Sequence, residues 1–264
     1  MTPLYPHLPT DFPWREQIHY FKTIDSTNTR AKAMAAANAP HGTVLIADSQ
    51  SGGRGRMGRS FHSPAGCGIY LSVILRPNCQ AKDLMHLTCS TGVAACNAIE
   101  KVCSVRPGIK WTNDLILGKR KLGGILTELS MLPNGMVDWA VVGIGINCCQ
   151  TSEDFPEDIR NIATSLQSTL SKTIDRVQVT AALLLELEAM ARHLLTHRND
   201  TLAIYRKDCV TLGQEVSIVA GEIIRHGKAV DIAPDGALVV DFPDGHRENV
   251  NSGEVSIRGM YGYI

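Results

Sequence analysis

Two Pro-Asp-Gly triplets, at residues 234–236 and 243–245, divide the end of the chain into short segments that alternate between apolar and polar residues. Proline presets the first residue of a tight turn and glycine accepts the positive φ that follows, so each triplet favours a turn. With a further break expected at His226-Gly227, the pattern predicts consecutive hairpins that form a small β-barrel. We expect this barrel to be a separate C-terminal domain over residues 209–264.

The first 208 residues combine apolar strand patterns with helical ones, which predicts a mixed sheet with helices, a fold of the α+β class. An Ala-rich run after Asp25 and a strongly amphipathic run after Val179 are typical of helices. The predicted strands cover residues 19–23, 43–48, 68–75, 109–111, 114–117, 121–129 and 137–146. The predicted helices cover about 29–37 and 81–103, with two or three more between 158 and 208.

Charge and hydropathy exclude several classes of protein. The chain has 264 residues with 26 Lys and Arg against 26 Asp and Glu, so it lacks the basic excess of a protein held on nucleic acid by bulk electrostatics. No apolar run approaches the roughly 18 residues of a membrane span, and the N-terminus lacks the basic and apolar regions of a signal peptide. We therefore expect a cytoplasmic protein with no membrane partner.

The eight cysteines are spaced for packing rather than for a metal. Cys89, Cys96 and Cys103 recur every seven residues in a helical pattern, so they share one face and are predicted to be reduced thiols in the core. A zinc interpretation would rest on His86 and Cys89, and it is disfavoured because no second ligand pair follows at a suitable spacing.

A segment rich in glycine and arginine follows the second predicted strand. Gly53 to Gly58 match the dinucleotide-binding pattern G-x-G-x-x-G, but the residues after the third glycine cannot begin a helix cleanly and no acidic residue lies about 20 positions later. A dinucleotide site is therefore disfavoured. Arg54, Arg56 and Arg59 alternate with glycines that let backbone N–H groups approach an anion. We interpret the segment as a flexible loop that closes on a ligand with several negative charges, in preference to a solvated basic loop.

Three further segments combine polar side chains with glycines or strand ends. The run from Lys110 to Asp114 brings a cation, an aromatic ring, an amide and a carboxylate together. The run Lys121-Leu-Gly-Gly124 places a lysine before two glycines, which let a ligand lie against the backbone. The run Gly143-Ile-Gly-Ile-Asn147 ends a buried strand in a similar way. Each of the first two segments alone is also typical of an ordinary hairpin with surface charge.

Five motifs, in order, resemble those of the biotin protein ligases, the enzymes that attach biotin to carboxylases, and the resemblance covers nearly the whole chain. The resemblance implies a catalytic domain like that of the class II aminoacyl-tRNA synthetases, followed by an SH3-like barrel. Thr112 departs from the family, which usually has proline there, and we expect this to alter loop stiffness rather than chemistry. The motifs are Asp25-Ser-Thr-Asn28, Gln50 with Gly53-Arg-Gly-Arg-x-Gly-Arg59, Lys110-Trp-x-Asn-Asp-Leu115, Arg120-Lys-Leu-x-Gly-Ile-Leu126 and Gly143-x-Gly-Ile-Asn147.

The resemblance also implies the residues of the site. The loop with Arg54 and Arg56 would close over biotin and the adenylate phosphate, and Lys121 would contact the biotin carboxylate and the α-phosphate. Asp114 is the acid best placed, by analogy, to bind a metal or to orient an attacking lysine. The implied biotin contacts, of which the first four would hold the ureido ring and its neighbouring atoms, are Ser26, Thr27, Asn28, Gln50, Gly53, Arg54, Gly55, Arg56, Lys121 and Gly124. The implied nucleotide contacts are Arg56, Arg59, Phe61, Lys110, Asn113, Lys121 and Asn147, and the implied catalytic residues are Lys121, Arg54, Arg56 and Asp114.

The implied activity is an ATP-dependent, AMP-forming ligation with biotin as substrate and Mg²⁺ as cofactor. Biotin and ATP would give biotinyl-5′-AMP and pyrophosphate, and a lysine of a biotin carboxyl carrier protein would then displace AMP. Three cations, Arg54, Arg56 and Lys121, would compensate the two anions that meet in the first step, and Mg²⁺ would carry the leaving pyrophosphate. A lipoate–protein ligase of the same fold is the alternative enzyme, and the Arg-Gly and Lys-Trp motifs disfavour it.

The alternative from another class is a transcriptional repressor that uses biotinyl-adenylate as corepressor. Some family members carry an N-terminal winged helix for this purpose, whereas only about 24 residues precede Asp25 here. We therefore expect a short form without the DNA-binding domain and no DNA partner. Whether the chain is a monomer or a homodimer stays open.

Overall fold

A computed structural model describes residues 4–220, 223–251 and 254–257 of the chain. Within these residues the strands form two sheets. The first contains β1 (Ile18–Ile24), β2 (Thr43–Gln50), β3 (Gly68–Leu75), β4 (Gly108–Lys110), β5 (Asp114–Leu117), β6 (Arg120–Met131) and β7 (Val137–Asn147). The second contains β8 (Glu215–Ala220), β9 (Ile223–Ile232), β10 (Leu238–Asp241), β11 (Arg247–Val250) and β12 (Glu254–Ile257).

The first sheet is mixed, as the sequence predicts. Its strands follow the order β1-β2-β3-β7-β6-β5-β4, in which β1 and β2 are parallel and the other neighbours are antiparallel. The interior strand β3 is buried at every position, which is expected for an apolar run that has strands on both sides and helices on both faces. This arrangement leaves polar loops at the strand ends, where the predicted site residues lie.

Helices cover both faces of this sheet. On one face, α1 (Thr27–Ala36) packs Ala31 and Ala35 against Leu45, Ile74 and Val141. On the other face pack α2 (Leu87–Cys103), α4 (Arg176–His193) and α5 (Arg198–Asp208), while α3 (Leu166–Leu170) is a short helix before α4. The small alanine side chains bring α1 close to the sheet, and this places its first turn beside Gln50 at the end of β2, Ser72 within β3 and Gly143 within β7.

The second sheet is antiparallel throughout and follows the order β11-β10-β9-β8-β12. Both Pro-Asp-Gly triplets form the predicted turns, in which Gly236 and Gly245 each have a φ of 89°. The predicted break at His226-Gly227 is wrong, because both residues lie inside β9. A Cβ on Gly227 would come within 2.6 Å of Val240 Cγ1, so this glycine serves close packing against β10 rather than a turn.

The helix predicted over 81–103 is shorter in the structure. Residues Ala81–Leu84 form a single 3₁₀ turn, and the α-helix begins only at Leu87. Between them, the buried His86 places its Nε2 atom 2.9 Å from the carbonyl oxygen of Leu194. This tertiary contact fixes His86 at the start of α2, in a position that helix propensity alone does not predict.

The cysteines confirm the prediction of reduced thiols. All eight are free, and Cys89, Cys96 and Cys103 are buried along α2. The described residues contain no group of three or more His, Cys, Asp or Glu side chains placed to hold a metal ion. In the same described ranges, no helix combines the length and the apolar character that crossing a bilayer requires.

The predicted boundary between residues 208 and 209 falls where α5 ends. There the chain runs beside β4, and Val210 N donates a hydrogen bond of 2.9 Å to Ile109 O, before the second sheet begins. The division into domains 1–208 and 209–264 stays a prediction. Residues 1–3 of the first range, and residues 221–222, 252–253 and 258–264 of the second, lie outside the described residues.

Candidate active site

A cavity of about 990 Å³, partly open to solvent, lies between the glycine-rich loop and the strands β5, β6 and β7. It gathers all but two of the predicted site residues, because strands distant in sequence end at the same edge of the sheet. Its lining consists of Ser26, Thr27, Asn28, Gln50, Arg54, Gly55, Arg56, Met57, Arg59, Ser60, Phe61, Lys110, Trp111, Asn113, Asp114, Lys121, Gly124, Ile125, Leu126, Gly143, Ile144, Gly145 and Val255.

One end of the cavity is buried, polar and uncharged. Ser26 caps α1 by accepting a hydrogen bond from Thr29 N, so the next residues present their polar groups at the first turn of the helix. The backbone N–H and the hydroxyl of Thr27 lie 2.8 and 3.1 Å from Gln50 Oε1. Gln50 Nε2 in turn donates to Ser63 Oγ at 2.9 Å. These bonds join α1 to the end of β2.

Ser72 completes this polar end, although nothing in the sequence singled it out. It is fully buried in β3, and its hydroxyl oxygen lies 2.6 Å from Asn28 Oδ1 and 2.8 Å from Thr27 Oγ1. Asn28 packs against Gly143, where a Cβ would come within 1.8 Å of Asn28 Oδ1. The first glycine of the Gly-Ile-Gly-Ile-Asn motif therefore makes room for the Asn28 side chain.

The other end of the cavity carries the charged residues. Lys121 Nζ lies 2.7 Å from Asp114 Oδ1, across the β5–β6 hairpin. Arg56 Nη1 donates to Asn113 Oδ1 at 3.0 Å, and Asn113 Nδ2 donates to Ile125 O at 3.0 Å. Both cations thus meet oxygen acceptors at the surface of the cavity, and an anionic ligand could replace these acceptors.

The glycine-rich loop folds back on itself over the cavity. Gly55 N donates to Arg59 O at 2.7 Å, and Phe61 N donates to Gly53 O at 2.9 Å. No helix begins at Gly58: the segment forms one 3₁₀ turn (Arg56–Gly58) and then continues as extended backbone. The rejection of a dinucleotide fingerprint is confirmed, whereas disorder of this loop without ligand stays a prediction.

Phe61 lies against the sheet at Gly145, the second glycine of the Gly-Ile-Gly-Ile-Asn motif. A Cβ on Gly145 would come within 2.5 Å of the Phe61 ring. The ring also makes an edge contact with Tyr70, whose hydroxyl donates to Pro64 O at 3.0 Å. Burial raises the pKa of Tyr70 well above its ordinary value, so the hydroxyl stays a donor. The contact between Phe61 and Tyr70 fixes the end of the loop that leads to β3.

Two predicted site residues, Gly53 and Asn147, do not line the cavity. A Cβ on Gly53 would come within 2.3 Å of Phe61 O, so this glycine allows the loop to close on itself. Asn147 is buried, with Nδ2 donating to Thr164 O at 3.0 Å and Oδ1 accepting from Gln150 Nε2 at 3.2 Å. Asn147 therefore holds the neighbouring segment 148–165 rather than the lining, and its contact with a nucleotide stays a prediction.

Segment 148–165 was not identified from the sequence as part of the site. It runs directly beside Lys121, whose N–H donates to Ile162 O at 2.7 Å and whose carbonyl accepts from Thr164 N at 2.8 Å. Its sequence lacks glycine motifs and paired cations, so only the strand-like pairing with β6 reveals it.

The second sheet contacts the same region. Val255 of β12 lines the cavity, and Trp111 Nε1 donates to Gly236 O at 2.9 Å. Trp111 N donates to Thr211 Oγ1 at 2.9 Å, and the peptide bond between Trp111 and Thr112 is cis. The Lys-Trp motif is therefore held between the two sheets.

The charged end holds one carboxylate that could take part in binding a magnesium ion. Asp114 supplies one carboxylate beside the cavity, and the described residues offer no cluster of three acidic, histidine or cysteine side chains. Mg²⁺ is commonly held by one or two carboxylates together with substrate phosphates and water, so this donor set suits it.

Comparisons with known proteins agree with this geometry. The model of the Biotin/lipoate A/B protein ligase family matches residues 20–147, and the model of the biotin protein ligase C-terminal domain matches residues 211–258. The chain is 35% identical to the bifunctional ligase/repressor BirA of Bacillus spizizenii over 231 residues, which cover 87% of this chain and 71% of that protein. The chain belongs to the biotin protein ligase family. Within the family, it is 33% identical to the biotin–[acetyl-CoA-carboxylase] ligase of Mycobacterium tuberculosis, over 92% of this chain and 89% of that one.

The solved structures of biotin protein ligases share its fold. The structure of the biotin protein ligase from Aquifex aeolicus in complex with biotin and ATP superimposes with a TM-score of 0.78 at 31% identity, over 92% of this chain and 99% of that chain. The predicted fold class, a mixed sheet with helices followed by a small β domain, is thereby confirmed for this family member.

Proposed function

We propose that this member of the biotin protein ligase family activates biotin with ATP to biotinyl-5′-AMP and transfers biotin to a lysine of a biotin carboxyl carrier protein. The observation that carries the proposal is one cavity with two chemically different ends. A buried, uncharged end suits the ureido ring of biotin, and a cationic end suits a carboxylate beside a triphosphate.

The uncharged end also favours biotin over lipoate. The ureido ring offers two N–H donors and a carbonyl acceptor, whereas the dithiolane ring of lipoate offers no strong hydrogen-bonding group. Thr27, Asn28 and Gln50 present polar groups to this end of the cavity, and the ureido ring can form hydrogen bonds with them whereas the dithiolane ring cannot. A site built to hydrogen-bond its substrate rejects an analogue that lacks those groups.

In the first step, a biotin carboxylate oxygen forms a bond to the α-phosphorus as the bond to the leaving pyrophosphate breaks. Arg54, Arg56 and Lys121 compensate the negative charge that accumulates, in a site partly shielded from water. Lys121 would exchange its bond to Asp114 for the biotin carboxylate and the α-phosphate. A magnesium ion held by Asp114 and the phosphates would neutralise charge on the leaving pyrophosphate.

In the second step, the ε-amine of the carrier lysine attacks the acyl carbon of the mixed anhydride and AMP leaves. The amine loses a proton to solvent as the amide bond forms, and Asp114 is the acid beside the cavity that we assign to orient the amine. On the nucleotide side we assign Arg59, Phe61, Lys110 and Asn113, which line the cavity, and Asn147, which supports segment 148–165.

Pyrophosphate exchange tests this function most directly. With the purified chain, ATP and Mg²⁺, labelled pyrophosphate should enter ATP only when biotin is present, and lipoate should not replace biotin. A carrier domain should then gain one biotin on its lysine, detected by mass spectrometry. Exchange that depends on lipoate and not on biotin would contradict the proposal.

The partners beyond the carrier protein remain predictions from the sequence. Light scattering distinguishes a monomer from a homodimer, and a gel-shift assay with biotinyl-adenylate and DNA tests the expected absence of DNA binding. Neither result changes the chemistry proposed for the cavity.

A further inference from the structure

Glu128, on β6, joins three parts of the molecule that the sequence does not connect. Its Oε2 atom accepts a hydrogen bond from Asn28 Nδ2 at 3.0 Å. Its Oε1 atom accepts one from Lys32 Nζ at 2.7 Å and lies 3.6 Å from Arg54 Nη1. The first helix, the sixth strand and the glycine-rich loop therefore meet on one carboxylate, whose side chain is only 21% exposed.

This carboxylate determines the direction of the hydrogen bonds in the uncharged end of the cavity. An ionised carboxylate only accepts, so it turns the Asn28 amide to direct both hydrogens towards Glu128 and Leu126 O. Asn28 Oδ1 then faces Ser72, whose hydroxyl must donate to it. The Ser72 hydroxyl also faces Thr27 Oγ1 at 2.8 Å, and the Thr27 hydroxyl directs its own proton to Gln50 Oε1, so the chain continues from Asn28 to the end of β2.

The charge on Glu128 is maintained by its surroundings. Burial acts to raise the pKa of Glu128, but the hydrogen bonds from Lys32 and Asn28 and the charge of Arg54 outweigh burial, so the pKa lies below the ordinary glutamate value. Glu128 is therefore an acceptor at neutral pH. A glutamine at this position has the same shape but can donate, so the amide of Asn28 would lose its fixed orientation.

We propose that Glu128 is a positioning residue for biotin, which orients the hydrogen-bond chain of Asn28, Ser72 and Thr27 and holds Arg54 above it. The inference rests on the proposed function, because it concerns the binding of biotin in the same cavity. Biotin should respond to Glu128 more strongly than ATP, because the chain that Glu128 orients lies at the uncharged end. Arg54 links Glu128 to the charged end, whereas Lys121 and Asp114 have no contact with Glu128.

The test compares E128Q with wild type and with the control E188Q, which changes an ion-paired glutamate of α4 outside the cavity. In biotin-dependent pyrophosphate exchange, E128Q should raise the KM for biotin about tenfold or more, the scale of losing a hydrogen bond to a charged group, while the KM for ATP stays within about twofold. E128D, which keeps the charge, should recover part of the loss. Trypsin should cut after Arg54 faster in E128Q than in wild type.

Equal changes in both KM values, or a KM for biotin within about twofold of wild type, would overturn the inference. If E128Q does not fold, Ser72→Ala tests the same chain, because it removes the relaying hydroxyl and little volume; an unchanged KM for biotin in this variant also overturns it. A wild-type chain without biotin-dependent exchange would contradict the proposed function instead, so the two failures are distinguishable.

Discussion

The two ends of the cavity are stabilised in opposite ways. At the uncharged end, Thr27, Asn28 and Ser72 are buried and bond to one another and to neighbouring strands, so their positions are set by the fold. At the charged end, Lys121 and Arg56 bond to single oxygen acceptors at the cavity surface. The first end is preorganised before a ligand arrives, whereas the second holds its cations with partners that a ligand replaces.

This difference teaches how one site can select a substrate and also activate it. A fixed set of donors and acceptors discriminates between ligands because a wrong ligand leaves buried groups unsatisfied. Cations that exchange partners during binding instead contribute most where charge develops in the reaction. Variants of the uncharged end should therefore change the KM for biotin, and variants of the charged end should change kcat.

The largest effect should come from Lys121→Met. It removes the cation between the biotin carboxylate and the α-phosphate, and loss of one preorganised donor at such a site lowers the rate about 100- to 1,000-fold. Pyrophosphate exchange measures this loss, and the melting temperature should stay close to wild type because the ion pair is partly exposed. Lys82→Met, at an exposed lysine far from the cavity lining, is the matched control. Exchange within about tenfold of wild type would show that Lys121 has no such role.

Gly143→Ala should have the next largest effect and the opposite kinetic signature. Its Cβ would lie 1.8 Å from Asn28 Oδ1, so the Asn28 amide must move out of its place in the pocket. We expect the KM for biotin to rise about tenfold or more, with a smaller change in the KM for ATP. Gly52→Ala is the control, because its Cβ would meet its nearest neighbour, Asp25 O, at 3.4 Å. A larger rise in the KM for ATP than in the KM for biotin would contradict the assignment of biotin to the uncharged end.

Closure of the glycine-rich loop should give a smaller, several-fold effect. Trypsin is expected to cut after Arg54, Arg56 or Arg59 in the free protein, and biotin with ATP should slow this cleavage because the loop orders around the adenylate. Cleavage after Arg192, on α4 and away from the cavity, should not respond to the ligands. Equal cleavage of the loop with and without ligands would mean that it does not close.

The smallest effect should be a shift in acid stability that depends on Glu128. Because its pKa in the folded state is below its unfolded value of about 4.3, its contribution is fully present above that pH and is lost as the pH falls through the folded pKa. The difference in unfolding free energy between wild type and E128Q should therefore shrink on acidification from about pH 6 to about pH 3. Denaturant unfolding at several pH values measures it, and a difference that grows in acid would be the wrong sign.

The sequence predicted most strands, the long amphipathic helices and most of the cavity lining, because these depend on local patterns. Glycines beside cations mark a ligand even without a structure. Ser72 was missed because it is a single small polar residue in an apolar strand, and Glu128 was missed because it lies in β6 beyond the Lys-Leu-Gly-Gly motif. Their importance comes from strand register, which places them beneath α1, and register depends on residues far apart in the chain.

At His226-Gly227 and at His86 the sequence prediction was wrong for a different reason: tertiary packing outweighed a local sequence signal. The glycine at 227 resembles a turn in the sequence, but it lies mid-strand because β10 approaches closely. His86 lies in a run of good helix formers, yet a bond to the end of α4 holds it before the helix begins. Both corrections arise from contacts between distant segments.

The hydrogen bond from Trp111 to the carbonyl oxygen of Gly236 has a consequence for exchanging, between homologues, the C-terminal segment, or tail, that forms the second sheet. A side chain at position 236 would bring its Cβ within 3.0 Å of Cys89 Sγ, in a turn whose φ is 89°. A tail grafted from another family member should therefore dock only if its first Pro-Asp-Gly-like turn keeps the glycine. Compatible chimeras can thus be chosen by inspecting one residue of the donor tail, together with the tryptophan that it meets on the acceptor.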